Sequence, residues 1–308
     1  MALTEKQIAA RLVGGSDVAT ILGLNPYMTA YELYYEKRGE TPPRFFGDNE
    51  NVEAGNILEN GIAEITASRM SKAAGREIKL RRSNITLVNP KYPWLTVHID
   101  RDVVGEDRGV EIKNVGWRAA WAWGDEGTDQ IPDYYLPQPH TYMLVKDYPV
   151  WTVAAYLGGS ELRLYEVQRD KEMDEIIIEK THDFWFDHVL KGIPVELDVA
   201  SRAALPALRK VYPGTDGTVV EGNDQLFHWH RVLREAKANE SLYKKAGDVA
   251  QAHLEAKMGA AAILKMPDGS SYTRKEVKKK AFSVEATTYM MFKYSKPKGE
   301  SMKEIEDE

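Results

Sequence analysis

The residues with the most obvious chemistry lie in VHIDRDVVGEDRGVEIKNV, residues 97–115, where Asp100 ends one apolar run and Glu111 and Lys113 punctuate the next. Side chains alternate faces along a strand, so Glu111 and Lys113, two residues apart, point the same way. If RDVV and GVEIKNV pair as a hairpin through GEDRG, Asp100 falls beside Glu111 at the strand mouth. Two carboxylates suit a hard cation, Mg²⁺ or Mn²⁺. A lysine next to that cation can hold a water, and the cation neutralises charge on a phosphate oxygen. Phosphodiester hydrolysis needs this set of groups. A Glu-x-Lys on a strand is equally an ordinary hairpin edge, so the rest of the chain must decide.

Several elements are legible around the hairpin. Residues 3–12 read as a short helix, followed by the turn VGGSDVATILG, where Ser16 and Asp17 are placed to cap a helix. TAYELYYEKR at 29–38 predicts a helix ended by Gly39 and Pro42-Pro43. A longer helix is expected over 50–73, with Val52, Ile57, Leu58, Ile62 and Ile65 at helical spacing. The short β-rich segments EIKL, ITLV, WLTVHI, RDVV and GVEIKNV follow. YYLPQPHTYMLV suggests a helix entered through Pro137. VWTVAAYL and ELRLYEVQ make a strand pair around Gly158-Gly159-Ser160, and 171–191 is a closing helix. Trp117, Trp121 and Trp123 read as core at helical spacing, with stacking on an exposed DNA end as the competing role.

This order of elements predicts an α/β fold, a central mixed sheet flanked by helices. KGIPVEL places a boundary, giving domains 1–197 and 198–308. The second is expected to be a mainly helical extension with a long segment near 221–264 and a hairpin at Pro267-Asp268-Gly269. It ends in the basic run RKEVKKK and a frayed EIEDE. Oligomerisation, DNA contact or partner contact are its candidate roles.

Of 308 residues, 43 % are hydrophobic, enough for a sizeable core. The net charge of −6 excludes a chain coated in basic residues, although local patches still matter. The chain has no cysteine, which excludes disulfides, zinc-thiolate sites and iron–sulfur clusters. No apolar run reaches the roughly 20 residues of a membrane span, and MALTEKQIAARL lacks a signal-peptide core, so a cytoplasmic protein is expected.

The ordered segments GGSDVATILGLNP, GNILENGIAEI, HIDRDVV, VEIKNV and IPDYYLPQPHTYMLV resemble the YqaJ-type viral recombinases. These are phage nucleases similar to lambda exonuclease, within the PD-(D/E)xK superfamily, and the resemblance covers roughly 11–193. It implies a restriction-endonuclease-like core in which Asp100 and Glu111 hold the metal, joined by Glu59 and the backbone carbonyl of Ile112. It further implies that Lys113 positions the attacking water and that Gln138 contacts the site. Ser16 and Arg11 are matched to the terminal phosphate of DNA, and Arg118 and Arg101 are further phosphate candidates.

The implied activity is Mg²⁺-dependent digestion of one strand of linear double-stranded DNA, 5′-to-3′. That leaves 3′ single strands for a single-strand annealing protein of the phage type. Relatives of this kind form homo-oligomeric rings, a trimer here, and would work in the bacterial host cell, encoded by a phage or prophage. Two rival readings are a structure- or site-specific endonuclease and a non-catalytic DNA-binding scaffold. The second is disfavoured because Asp100, Glu111 and Lys113 are all present.

Overall fold

Residues 4, 7, 11–42, 50–83, 85–276 and 292 are described in the structure, a computed structural model of the chain. Most of the helix expected over 3–12, residues 277–280 of the basic run and the terminal EIEDE lie outside the described residues. The chain divides into two compact units at Pro213–Gly214.

The first unit opens with β1 (Val13–Gly14), a 3₁₀ turn (Gly15–Asp17) and α1 (Val18–Ile21). Next come α2 (Ala30–Arg38) and α3 (Glu50–Ala74). Five strands follow: β2 (Leu80–Arg82), β3 (Leu87–Val88), β4 (Leu95–Val97), β5 (Arg101–Val103) and β6 (Arg108–Val115). After a 3₁₀ segment (Trp117–Ala122) come α4 (Pro137–Lys146), β7 (Val150–Leu157) and β8 (Glu161–Gln168). α5 (Lys171–His182) runs on into a π-helical stretch (Asp183–Leu190), and α6 (Ala204–Val211) ends the unit.

The main sheet has the order β2-β5-β6-β7-β8. Its β6–β7 pair is parallel and the others are antiparallel, so it is mixed, as expected. A small sheet, β1-β4-β3, stands beside it. On one face Ile62, Ala63, Val110, Ile112 and Leu162 form a core beneath α3. On the other, Trp151, Val153, Tyr165, Tyr142, Met143 and Ile177 form the larger core with α4 and α5. Each large side chain fully withdrawn from water contributes about 1.5–3 kcal/mol, so these two layers hold the sheet rigid.

Local sequence explains the boundaries. Thr29 caps α2 by accepting from Glu32 N, and Gly39 at φ 71° ends it. In α3 the apolar pattern over-read the buried face: Ile62 is buried, but Ile57, Leu58 and Ile65 are exposed. The helix meets the sheet along Ile62, Ala63 and Thr66, a narrower stripe than the spacing implied.

The division at 213–214, rather than at 197/198, follows from α6. Lys210 pairs with Glu32 of α2 at 2.5 Å, and the Tyr31 and Tyr212 hydroxyls meet at 2.9 Å. These contacts tie residues beyond 197 to the first unit. In the second unit, α7 (Asp224–Met258) starts at an Asn223 cap and stops at Gly259. Among its described residues α7 buries Met258 alone. The expected hairpin follows as β9 (Ile263–Lys265) and β10 (Ser271–Thr273). Among the described residues no helix is long and apolar enough to cross a membrane.

Candidate active site

The β5–β6 hairpin pairs Arg101 with Val110 and Asp102 with Gly109. Continued by one residue, that register sets Asp100 opposite Glu111. Glu111 shares its face of β6 with Lys113 and pairs with Val153 of β7, so it points into the larger core and is buried. Asp100 Oδ2 accepts a hydrogen bond from Ile112 N at 2.7 Å. The described contact at Ile112 is therefore made by its amide.

Lys113 closes the cluster. Its Nζ donates to Glu111 Oε1 at 2.6 Å and to Gln138 Oε1 at 2.9 Å, and lies 5.0 Å from the centre of the Tyr135 ring. Gln138, at the second position of α4, in turn donates from Nε2 to the Tyr142 hydroxyl at 2.5 Å. Residues 138 and 142 are one helical turn apart, which stacks them on a single face of α4. The phenol of Tyr142 is pushed well up by burial and by the charge of Glu111.

The electrostatics favour a bound cation. Burial first, and then the neighbouring Glu111 carboxylate, push the Asp100 carboxyl up to about 8, against the opposing pull of the Ile112 amide and Lys113. Glu111 Oε2 is buried with no hydrogen-bond partner among the described residues. An orphaned carboxylate oxygen beside a second, repelled carboxyl is what an oxygen-seeking divalent cation would relieve. The donor set fits that group.

Glu59 is held differently. Its Oε1 pairs with Arg101 Nη1 at 2.6 Å and lies 3.8 Å from Arg82 Nε. Among the described residues no group of three or more His, Asp or Glu side chains converges as a metal cage. The pair Asp100–Glu111 is the nucleus of the site, with Glu59 drawn aside by arginine.

Arg101 does not stand where a phosphate contact must. It is 3 % exposed. Its guanidinium bonds Glu59 Oε1, Asn60 Oδ1 at 2.8 Å and its neighbour's carbonyl, Asp100 O, at 2.7 Å. It orients the helix and strand ends, and the phosphate role expected for it is withdrawn. Ser16 is exposed on the 3₁₀ turn, which carries no side-chain cap bond. Asp17 instead reaches back to Gly14 N at 2.9 Å and pairs with Lys37 at 2.6 Å. Arg11 Nη1 donates to Glu36 O at 2.6 Å. Arg118 is exposed, over the Trp117 ring.

The tryptophans split. Trp123 is buried against Tyr135 and Tyr165, but Trp117 and Trp121 are 72 % and 86 % exposed. The core reading holds for Trp123 alone, which follows the 3₁₀ segment; the segment itself (Trp117–Ala122) buries none of its residues. Sequence reasoning also missed Tyr142 and Arg82. Tyr142 was detectable as a polar aromatic four residues after Gln138. Arg82 carried no signal beyond an Arg-Arg pair.

Residues 6–149 match the YqaJ-like viral recombinase domain family. This part of the chain is similar to the YqaJ-like viral recombinase domain. It contains Glu59, Asp100, Glu111, Lys113 and Gln138 together. The uncharacterized protein YqaJ of Bacillus subtilis (strain 168) is 33 % identical over 206 residues, covering 66 % of this chain and 61 % of that protein. The match thus spans less than two thirds of the relative's length. Among solved structures, an alkaline exonuclease of Laribacter hongkongensis aligns at TM-score 0.43 with 19 % identity, covering 61 % of this chain and 93 % of that one. A phage-related exonuclease of Haemophilus somnus 129PT aligns at TM-score 0.43 with 15 % identity, covering 59 % and 95 %.

Within the matched region, the GGSD turn is tied to the site by contact. A Cβ on Gly15 would meet Cε1 of Tyr142 at 2.6 Å, and Tyr142 holds Gln138, which holds Lys113. Gly15→Ala is expected to push the ring aside and loosen the lysine. We expect a loss of stability of about 1–3 kcal/mol. If the nuclease reading proposed below holds, the cleavage rate should fall about tenfold or more, measured in single turnover at saturating DNA. An unchanged rate in a destabilised variant would refute the link.

Proposed function

We propose that this protein is a metal-dependent nuclease acting on DNA in phage-type recombination. The observation that carries the reading is the buried Asp100–Glu111 pair with its orphaned Oε2, beside a lysine fixed by two acceptors. The recombinase-domain match over 6–149 supports the setting.

Asp100 and Glu111 would hold the cation, with Glu59 and the Ile112 carbonyl as further oxygen donors. When bound, the cation supplies charge neutralisation at the scissile phosphate and a lowered pKa for water. The lysine's task is positional. An ammonium has three donors, and Glu111 and Gln138 take two, so one N–H of Lys113 is left to hold a water for in-line attack. The water oxygen bonds to phosphorus, the bond from phosphorus to the 3′ oxygen breaks, and a proton ends on that leaving oxygen.

The finer reading rests on the family resemblance. It is Mg²⁺-dependent, 5′-to-3′ digestion of one strand from a duplex end, leaving 3′ overhangs for an annealing protein. A trimeric homo-oligomeric ring in the bacterial cytoplasm belongs to the same reading.

The test is digestion of a linear duplex with 5′-phosphate ends, with and without Mg²⁺, beside a closed circle and a Lys113→Ala variant. Loss of the linear DNA alone is expected, at a rate reduced about 10²–10⁴-fold in the variant. Nicking of the circle would replace this reading with an endonuclease. Metal-dependent cleavage of neither would leave a DNA-binding scaffold.

A further inference from the structure

With Arg101 buried, a different set of cations faces solvent beside the catalytic carboxylates. A cavity of about 270 Å³ opens at the β2 edge of the main sheet, lined by Arg81, Arg82, Ser83, Asp102 and Lys146 among others. Asp102 lies at its base and is buried. Lys146 Nζ stands 3.2 Å from Asp102 Oδ1, and Arg81 Nη2 stands 3.5 Å from Oδ2. The Tyr148 hydroxyl donates to the same carboxylate at 3.4 Å, and Lys146 lies 4.7 Å from the centre of the Tyr148 ring.

The charge count is uneven. Three cations line the cavity and Asp102 is its one carboxylate, so one negative charge is met by more than it can neutralise. Among the described residues the ion pair of the third cation, Arg82, is a loose one with Glu59, at 3.8 Å. Arg81 and Arg82 keep 70 % and 54 % of their side-chain surface exposed, and Lys146 keeps Asp102 paired when Arg81 turns toward a ligand. Roughly 300–1,000 Å³ is usual for a site that takes a whole cofactor, and this cavity is smaller. Its size and sign suit one phosphate group, which arginine binds bidentately.

Its position says which phosphate. Asp102 is two residues from Asp100 and on the same face of the hairpin, about 7 Å along the strand. Rises of about 3.4 Å per nucleotide bring a neighbouring phosphate of the same strand within that reach. We infer that Arg81, Arg82 and Lys146 form a cleft that holds a backbone phosphate of the DNA next to the one being cut. This rests on the nuclease reading above and deepens it: the cleft adds binding to the strand that crosses Asp100 and Glu111.

The experiment measures duplex binding by fluorescence anisotropy across a KCl series, with Ca²⁺ in place of Mg²⁺. Removing one cation that binds a phosphate lowers the slope of log K against log[salt] by about one, so Arg81→Ala and Lys146→Ala should each show that drop. Arg81→Lys should restore most of the slope, and thermal melts would confirm that every variant is folded. With Mg²⁺, Arg81→Ala should raise KM several-fold and leave kcat near its original value, as for a group that binds the ground state. A slope unchanged in folded Arg81→Ala and Lys146→Ala overturns the cleft while leaving the nuclease reading intact. No duplex binding by the unaltered protein overturns both. A nucleoside monophosphate added at matched ionic strength separates the sources. If it binds in an Arg81-dependent manner while the DNA slope does not depend on Arg81, the cleft takes released product, and the proposal as stated fails.

Discussion

Replacing Asp100 by Asn is expected to abolish metal-dependent cleavage and, in the cation-free protein, to raise the melting temperature at pH 8. The two effects have one cause. Asp100 is crowded by burial and by Glu111, so its carboxyl is pushed up to about 8. In the unfolded chain the same carboxyl ionises near pH 4. Between those values the folded state binds more protons than the unfolded one, so stability falls as pH rises through the window and the loss is complete above about 8. A tenfold change in proton affinity corresponds to about 1.4 kcal/mol, and after relaxation and water entry we expect about 3 kcal/mol at pH 8. For a chain of this size that is a gain of roughly 6–12 °C in Asp100→Asn.

The cost appears in function. On the proposed reading, removing a carboxylate from the Asp100–Glu111 pair would leave the cation one hard ligand short, and about 10³-fold or more of the cleavage rate should disappear, some 4 kcal/mol of barrier. Thermal melts from pH 5 to 9, with and without Mg²⁺, check both halves. The unaltered protein should lose stability with rising pH and regain it with Mg²⁺, and the Asn variant should do neither. An Asn variant that melts lower at pH 8 without cation would show that the pair is not strained by its own charge.

The largest structural effect is expected from Gly109→Ala. A Cβ at Gly109 would lie 2.6 Å from Cε2 of Trp151 and closer still to Cζ2 and Cη2. Trp151 is fully buried and boxed by Tyr142 and Tyr148, at ring distances of 5.1 and 6.1 Å. The indole has no room to move, and the two residues are directly paired across β6 and β7. We expect a loss of about 3 kcal/mol or more, at the upper end for overpacking, or failure to fold. Gly116, with nothing within 4 Å of its position for a Cβ, supplies the control: Gly116→Ala should change stability by less than about 1 kcal/mol. Urea midpoints measure the pair. Equal midpoints would mean that the sheet opens at Gly109 more easily than its packing implies.

The chain's order alone determined the hairpin and the identity of its chemical groups. Asp100, Glu111 and Lys113 are close in sequence, and the period-2 rule with one short turn is enough to set them side by side. The helices over 30–38, 50–74 and 137–146 were legible for the same local reason, through Thr29, Pro137 and periodic apolar residues. What depends on packing between distant segments was not. Ile57 and Leu58 fit a helical stripe, yet only the angle at which α3 meets the sheet leaves them in water. Arg101 looked available for phosphate until Glu59 and Asn60, some 40 residues earlier, closed on it. Gly15, Tyr142, Gln138 and Lys113 form one line of contact across separate elements, and the cavity of Arg81, Arg82 and Lys146 joins a strand edge to the end of a helix. Local periodicity specifies which way a side chain points from its own backbone. Its partner on another element is decided by how the two elements dock, which is set by the fit of the whole core.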